Sequence, residues 1–79
     1  MIKERTYIIH GKRYEGQEEY ITGTAEFPHY EAHVEDEEGN EYMIIWELLP
    51  HCFTEDGRVW IEDGNDACDW DNPLRIERL

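Results

Sequence analysis

Between residues 15 and 72 this chain has one basic side chain, Arg58, set against eighteen carboxylates. A surface so short of positive charge does not hold nucleic acid or an anionic membrane, because both are bound by neutralising their phosphates with Lys and Arg. Long apolar runs are also missing. No stretch of eighteen or more apolar residues occurs, which excludes a membrane-spanning helix. Residues Met1 to Arg5 lack the apolar core of a secretory signal, so a cytoplasmic chain is expected. Cysteine is scarce. Cys52 and Cys68 are the only two, and in that compartment they are expected as free thiols. No glycine-rich phosphate loop, nucleophile elbow or H-E-x-x-H motif is present. A chain of 79 residues has little volume for an enclosed pocket of about 300 Å³ or more. The expectation is therefore a protein that is not an enzyme, with no catalytic residues and no cofactor.

What the chain does have is aromatic bulk: three Trp, five Tyr and two Phe. Each buries roughly 150–250 Å², which offsets the modest apolar fraction and makes a packed core feasible in one domain over residues 1–79. A small domain buries only about 60% of its unfolded surface, so its margin is thin. The self-repulsion of a net charge of −13 narrows that margin further.

No segment sustains a helical period, and the alternation is mostly of period two, the mark of strands. Residues 6–9 form one β-rich run, and His10-Gly11-Lys12 reads as the turn into a returning strand at Arg13-Tyr14. Residues 19–27 form a second run, with Gly23 as a bulge or bend and Pro28 ending it. Around Gly39 the pattern is clearest. Tyr30, Ala32 and Val34 alternate with Glu31, His33 and Glu35, Glu38-Gly39-Asn40 supplies the turn, and residues 41–49 run as an apolar strand. Tyr42, Ile44, Trp46 and Leu48 share one face of that strand, with Met43 and Ile45 on the other, as a central strand covered on both sides would have them. Pro50 ends it. Asp56-Gly57 is a turn, residues 58–62 a short strand, residues 63–73 a surface loop with room for one helical turn, and residues 74–78 a closing strand. The expected fold is all-β: five or six short antiparallel strands in a curled sheet or a small SH3-like barrel.

The acidic residues fall into two clusters. On a strand over residues 30–37, Glu31, Glu35 and Glu37 project from one face, and residues two apart on a strand lie about 6.6–6.8 Å apart. That is close to two phosphate steps of about 3.4 Å along one DNA strand. Asp36, Glu38 and Glu41 extend the field around the turn. The second cluster comprises Glu55, Asp56, Glu62, Asp63, Asp66, Asp69 and Asp71. Metals fit these residues poorly. Counting from Asp63, a calcium loop would place Ala67 and Cys68 where a ligand and a glycine are needed. His29 and His33 can share a strand face, and His51-Cys52 and Cys68 add ligand types, yet the spacings match no familiar zinc module. Cys52 and Cys68 read better as small core residues and the histidines as surface groups. Of the tryptophans, Trp46 is a core residue by alternation, while Trp60 and Trp70 are less settled. Trp70, between Asp69 and Asp71, fits an exposed interface anchor but reads better as a plug over the core.

A tiny β domain with carboxylates placed along Glu31–Glu41 and Asp63–Asp71 resembles the small acidic DNA-mimic inhibitors of phages and mobile elements, the anti-CRISPR and anti-restriction proteins. The resemblance is one of size, charge and charge placement, with no shared motif or fold. It implies an inhibitor, monomeric or homodimeric, that occupies the basic nucleic-acid-binding surface of a bacterial defence complex inside the host cell. Two other readings fit the composition. One is an SH3-like adaptor that takes a basic peptide or protein in a Tyr/Trp groove. The other is an acidic domain of a salt-adapted organism with no dedicated basic partner.

Overall fold

The computed structural model describes residues 3–24 and 26–79. Six antiparallel strands form one open sheet: β1 Arg5–Ile9, β2 Lys12–Gly16, β3 Tyr20–Gly23, β4 Pro28–Asp36, β5 Glu41–Glu47 and β6 Arg75–Arg78. Their order is β1-β2-β4-β5-β6, with β3 also paired to β4. The sheet does not close on itself, so the barrel alternative gives way to the curled sheet. Between β5 and β6 the chain leaves the sheet in a long connection containing two single 3₁₀ turns, Pro50–Cys52 and Gly64–Asp66.

Local chemistry explains most of these elements. β1 and β2 join through His10 and Gly11, both at positive φ (50° and 79°), which is the two-residue hairpin geometry that matches strand twist. β2 and β3 both lie along the same edge of β4. Gly16 faces Val34 and Tyr20 faces Glu31, so the non-strand residues 17–19 that join β2 to β3 pass alongside Ala32 and His33 of β4. The close approach of β2 to β4 at this point depends on Gly16. A Cβ there would sit 2.3 Å from the His33 carbonyl oxygen. The β4–β5 hairpin is built on Asp36, whose Oδ1 accepts from the backbone N–H groups of Glu38 and Asn40 (2.9 Å each). Oδ2 accepts from the Asn40 amide and the Tyr42 hydroxyl (3.2 Å each).

Three expected strand features are corrected. Pro28 does not end the second run. The strand stops at Gly23 (φ 99°), and Pro28 opens β4 instead, at a first position where a missing N–H is tolerated. Residues 58–62 form no strand of the sheet. Only Val59 makes a bridge, to Phe53, because Thr54 and Arg58 close a tight turn on themselves: the Thr54 N–H donates to the Arg58 carbonyl at 2.8 Å. The apolar strand also ends two residues early, at Glu47, with Leu48 bridging Cys68.

Cross-strand partners share a face, which defines the two sides of the sheet. One side carries Tyr7, Tyr14, Ala32, Val34, Ile44 and Trp46 and forms the core with Leu48, Cys52, Ala67 and Cys68 from the long connection. Trp46 is fully buried and donates its indole N–H to the Trp70 carbonyl (3.1 Å). The Trp70 ring stands edge-on to Trp46 and Tyr30 at 5.1 and 5.2 Å, the arrangement aromatic pairs favour. Trp70 is thus the plug its position suggested. The long connection is therefore strapped across the core face. On the outer face Ile45 is buried and Met43 half-buried, flanked by Glu31, Arg75, His33 and Glu77.

Candidate protein-interaction surface

The fold separates the two acidic clusters. Glu31, Glu35 and Glu41 point from the outer face, whereas Glu55 to Asp71 lie on the connection that covers the core face. The two clusters lie on different elements, and their local environments differ.

On β4 the carboxylates are largely answered from within the chain. Glu31 accepts from His29 Nε2 at 2.7 Å and from the Tyr20 hydroxyl at 3.3 Å. Lys3 reaches Glu35 at 3.2 Å. On the neighbouring β5, Glu41 lies 3.2 Å from His33 Nε2, which makes no hydrogen bond there. Asp36 is buried, and its Oδ2 is 3.5 Å from the Lys12 ammonium. Burial pushes its pKa up, but the hydrogen bonds from Asn40, Glu38 and Tyr42 outweigh that and hold the carboxyl at about 2. Asp36 is thus a turn-building group rather than part of an outward field. Glu37 is not on the strand, which ends at Asp36. It sits exposed in the turn with Glu38, where the two line a cleft with His10, Lys12 and Arg13. The expected row of Glu31, Glu35 and Glu37 is accordingly broken: His33 separates the first two and the third lies past the strand end.

A different row exists that the sequence did not disclose. Glu15 on β2, Glu35 on β4 and Glu41 on β5 are directly opposite one another, at the inter-strand spacing of about 4.8 Å. Like charges so placed repel. Arg13 at 2.9 Å from Glu15 and Lys3 beside Glu35 offset that repulsion. The basic N-terminal segment thus folds against the acidic strand, and Arg5 likewise pairs with Glu19 at 2.8 Å.

The connection differs. Its seven carboxylates have Arg58 as their one Lys or Arg neighbour in sequence, and Arg58 is spent on Asp56 at 3.4 Å. Asp63 accepts from the Asn65 N–H at 3.0 Å and starts the second 3₁₀ turn. Asp69 accepts from the Asn72 amide at 3.0 Å. All seven remain exposed. Trp60 stands among them, 63% exposed, with its indole N–H donating to Glu62 at 3.4 Å. Trp60, His51, Glu62, Asp63 and Asp66 line a cleft of about 310 Å³. Trp60 was the residue sequence reasoning left undecided. Its exposure follows from the absence of the strand expected over residues 58–62, which the structure does not form.

Cys52 and Cys68 are free and buried. Burial, then the neighbouring Cys52 and Glu19, pushes the Cys68 thiol up to about 12, and burial raises Cys52 also. Among the described residues no three His, Cys, Asp or Glu side chains are grouped to hold a metal ion. The calcium and zinc candidates, including His29, His33 and His51, are dispersed. No helix among the described residues is long and apolar enough to cross a membrane. Comparisons with protein-family models, with curated proteins and with solved structures find no match.

Proposed function

We propose that this protein is a binding inhibitor that occupies a basic nucleic-acid-binding surface, such as the DNA channel of a bacterial defence complex, and that the connection over residues 53–72 makes the principal contact. The observation that supports this reading is the set of exposed carboxylates around exposed Trp60, of which Asp56 alone pairs with a Lys or Arg among the described residues. Arg and Lys side chains that hold phosphates meet carboxylates there in the same role, and a guanidinium stacked on an indole beside carboxylates gains both an ion pair and a cation–π contact. The single-sign field speeds encounter and makes it sensitive to salt. The acidic strand β4 adds long-range attraction but is already paired with the N-terminal segment, so it contributes less at contact.

The test is capture of binding proteins from bacterial lysate at low salt, followed by challenge with duplex DNA and with added salt. Release by both, and loss of capture on reversing Glu62, Asp66 and Asp71 to Lys, is the expected result. Binding indifferent to DNA and to salt would count against the reading. The exposed Trp60 also favours a second reading, an adaptor gripping a basic peptide chiefly through its aromatic. In that case Trp60→Ala would cost more than the triple charge reversal.

A further inference from the structure

Beside the acidic connection runs an apolar groove of about 720 Å³, lined by Leu48, Leu49, Pro50, Phe53, Pro73 and Leu74. Leu48 is buried, while Phe53 and Leu74 remain 37% and 47% exposed. The two prolines hold their backbone at a fixed φ, and the Leu74 N–H is tied to the Ile45 carbonyl at 2.8 Å. The groove is therefore preformed, and an occupant loses little free energy to ordering it. The rim carries Glu47 and Asp69, and neither is paired with a Lys or Arg among the described residues.

We infer that this groove docks a bulky apolar side chain of the partner flanked by Lys or Arg, the apolar group entering between Phe53 and Leu74 and the cations meeting Glu47 and Asp69. The inference rests on the proposed basic partner and adds what the carboxylates cannot supply, which is discrimination among basic surfaces. Charge draws in any of them. An apolar pocket with a charged rim selects those that present a large side chain between cations. A second copy of this chain is a poorer occupant, because two surfaces of the same strong negative charge would have to meet.

The test uses two pentapeptides, one with a phenylalanine between two pairs of basic residues and one with serine in its place, titrated into the labelled protein at low salt and followed by backbone amide shifts. The phenylalanine peptide is expected to bind about tenfold tighter, for partial burial of one aromatic side chain, and to shift the amides of Leu48, Phe53 and Leu74. Leu74→Ser and, separately, Phe53→Ser should bring the phenylalanine peptide's affinity down to that of the serine peptide. Equal affinity of the two peptides, with shifts confined to residues 62–71, would overturn the groove and leave the acidic surface standing. Failure of both peptides to bind at low salt would overturn the two together. A concentration-dependent dimer dissolved by Leu74→Ser would assign the groove to a second copy and overturn the inference.

Discussion

Lys3 places its ammonium 3.2 Å from Glu35 on the central strand β4, so the basic N-terminal segment neutralises part of the acidic strand from inside the molecule. Lys3 is half exposed, and such a pair contributes only about 0–1 kcal/mol. Glu35→Lys is expected to change the unfolding midpoint little and to weaken partner capture less than Asp66→Lys. Side-by-side urea titrations and capture assays check both halves of that statement.

Asp36 anchors the hairpin that presents β4 and β5. With its folded pKa held near 2, below the usual carboxylate value, its contribution is present above about pH 4 and is lost as pH falls toward 2. Asp36→Asn removes one acceptor from a set of four hydrogen bonds and should lower the melting temperature by several degrees at pH 7. The gap between wild type and variant should shrink as pH drops from 4 to 2. A gap that stays constant across that interval would deny Asp36 this role.

Two tryptophans should behave oppositely. Trp70 plugs the core against Trp46 and Tyr30, and Trp70→Ala should destabilise by about 3 kcal/mol, at the low end for removing a large aromatic because Trp70 is partly exposed. Trp60 is mostly exposed, and Trp60→Ala should alter stability by less than about 0.5 kcal/mol while weakening capture. Calorimetry with a binding assay on both variants separates the roles.

Both thiols should resist alkylation in the native state. Cys68, with its pKa pushed up to about 12, holds almost no thiolate at pH 8, and the thiolate is the reactive form. Iodoacetamide should label Cys52 and Cys68 only as urea unfolds the chain, with labelling tracking the loss of tryptophan signal.

Gly16 carries no side chain because the His33 carbonyl occupies that space. Gly16→Ala must push β2 off β4 and should cost about 1–3 kcal/mol, the range for overpacking, measurable as a shift in denaturation midpoint with the binding surface on the connection unaffected once folded.

The hairpins were legible in the sequence because their signals are local. His10-Gly11 and Gly39 mark turns, and the alternation of Tyr30, Ala32 and Val34 with charged neighbours names the buried face. Trp70 as a plug was legible for a similar reason, a large aromatic in a proline-containing loop above a small core. Long-range pairing was not. Nothing near Glu15 announces that it will stand opposite Glu35, since that register depends on β2 and β3 both taking places along the same edge of β4. Residues 58–62 look like a strand by composition, yet a strand needs an edge to pair with, and Arg58 is drawn into a turn with Thr54 instead. The acidic surface was legible as charge, but its division between the two faces of the sheet depended on where the long connection is strapped.

The central claim is that the carboxylates of the connection, rather than those on the outer face of β4 and β5, contact a basic nucleic-acid-binding partner. The most direct measurement compares capture of the partner by two variants at equal net charge, Glu62→Lys/Asp66→Lys/Asp71→Lys against Glu31→Lys/Glu35→Lys/Glu41→Lys, with duplex DNA as competitor. The account predicts that the first variant loses binding by more than about tenfold, that the second keeps most of it, and that DNA displaces what remains. Equal losses in the two variants, or retention by the first alone, would contradict it.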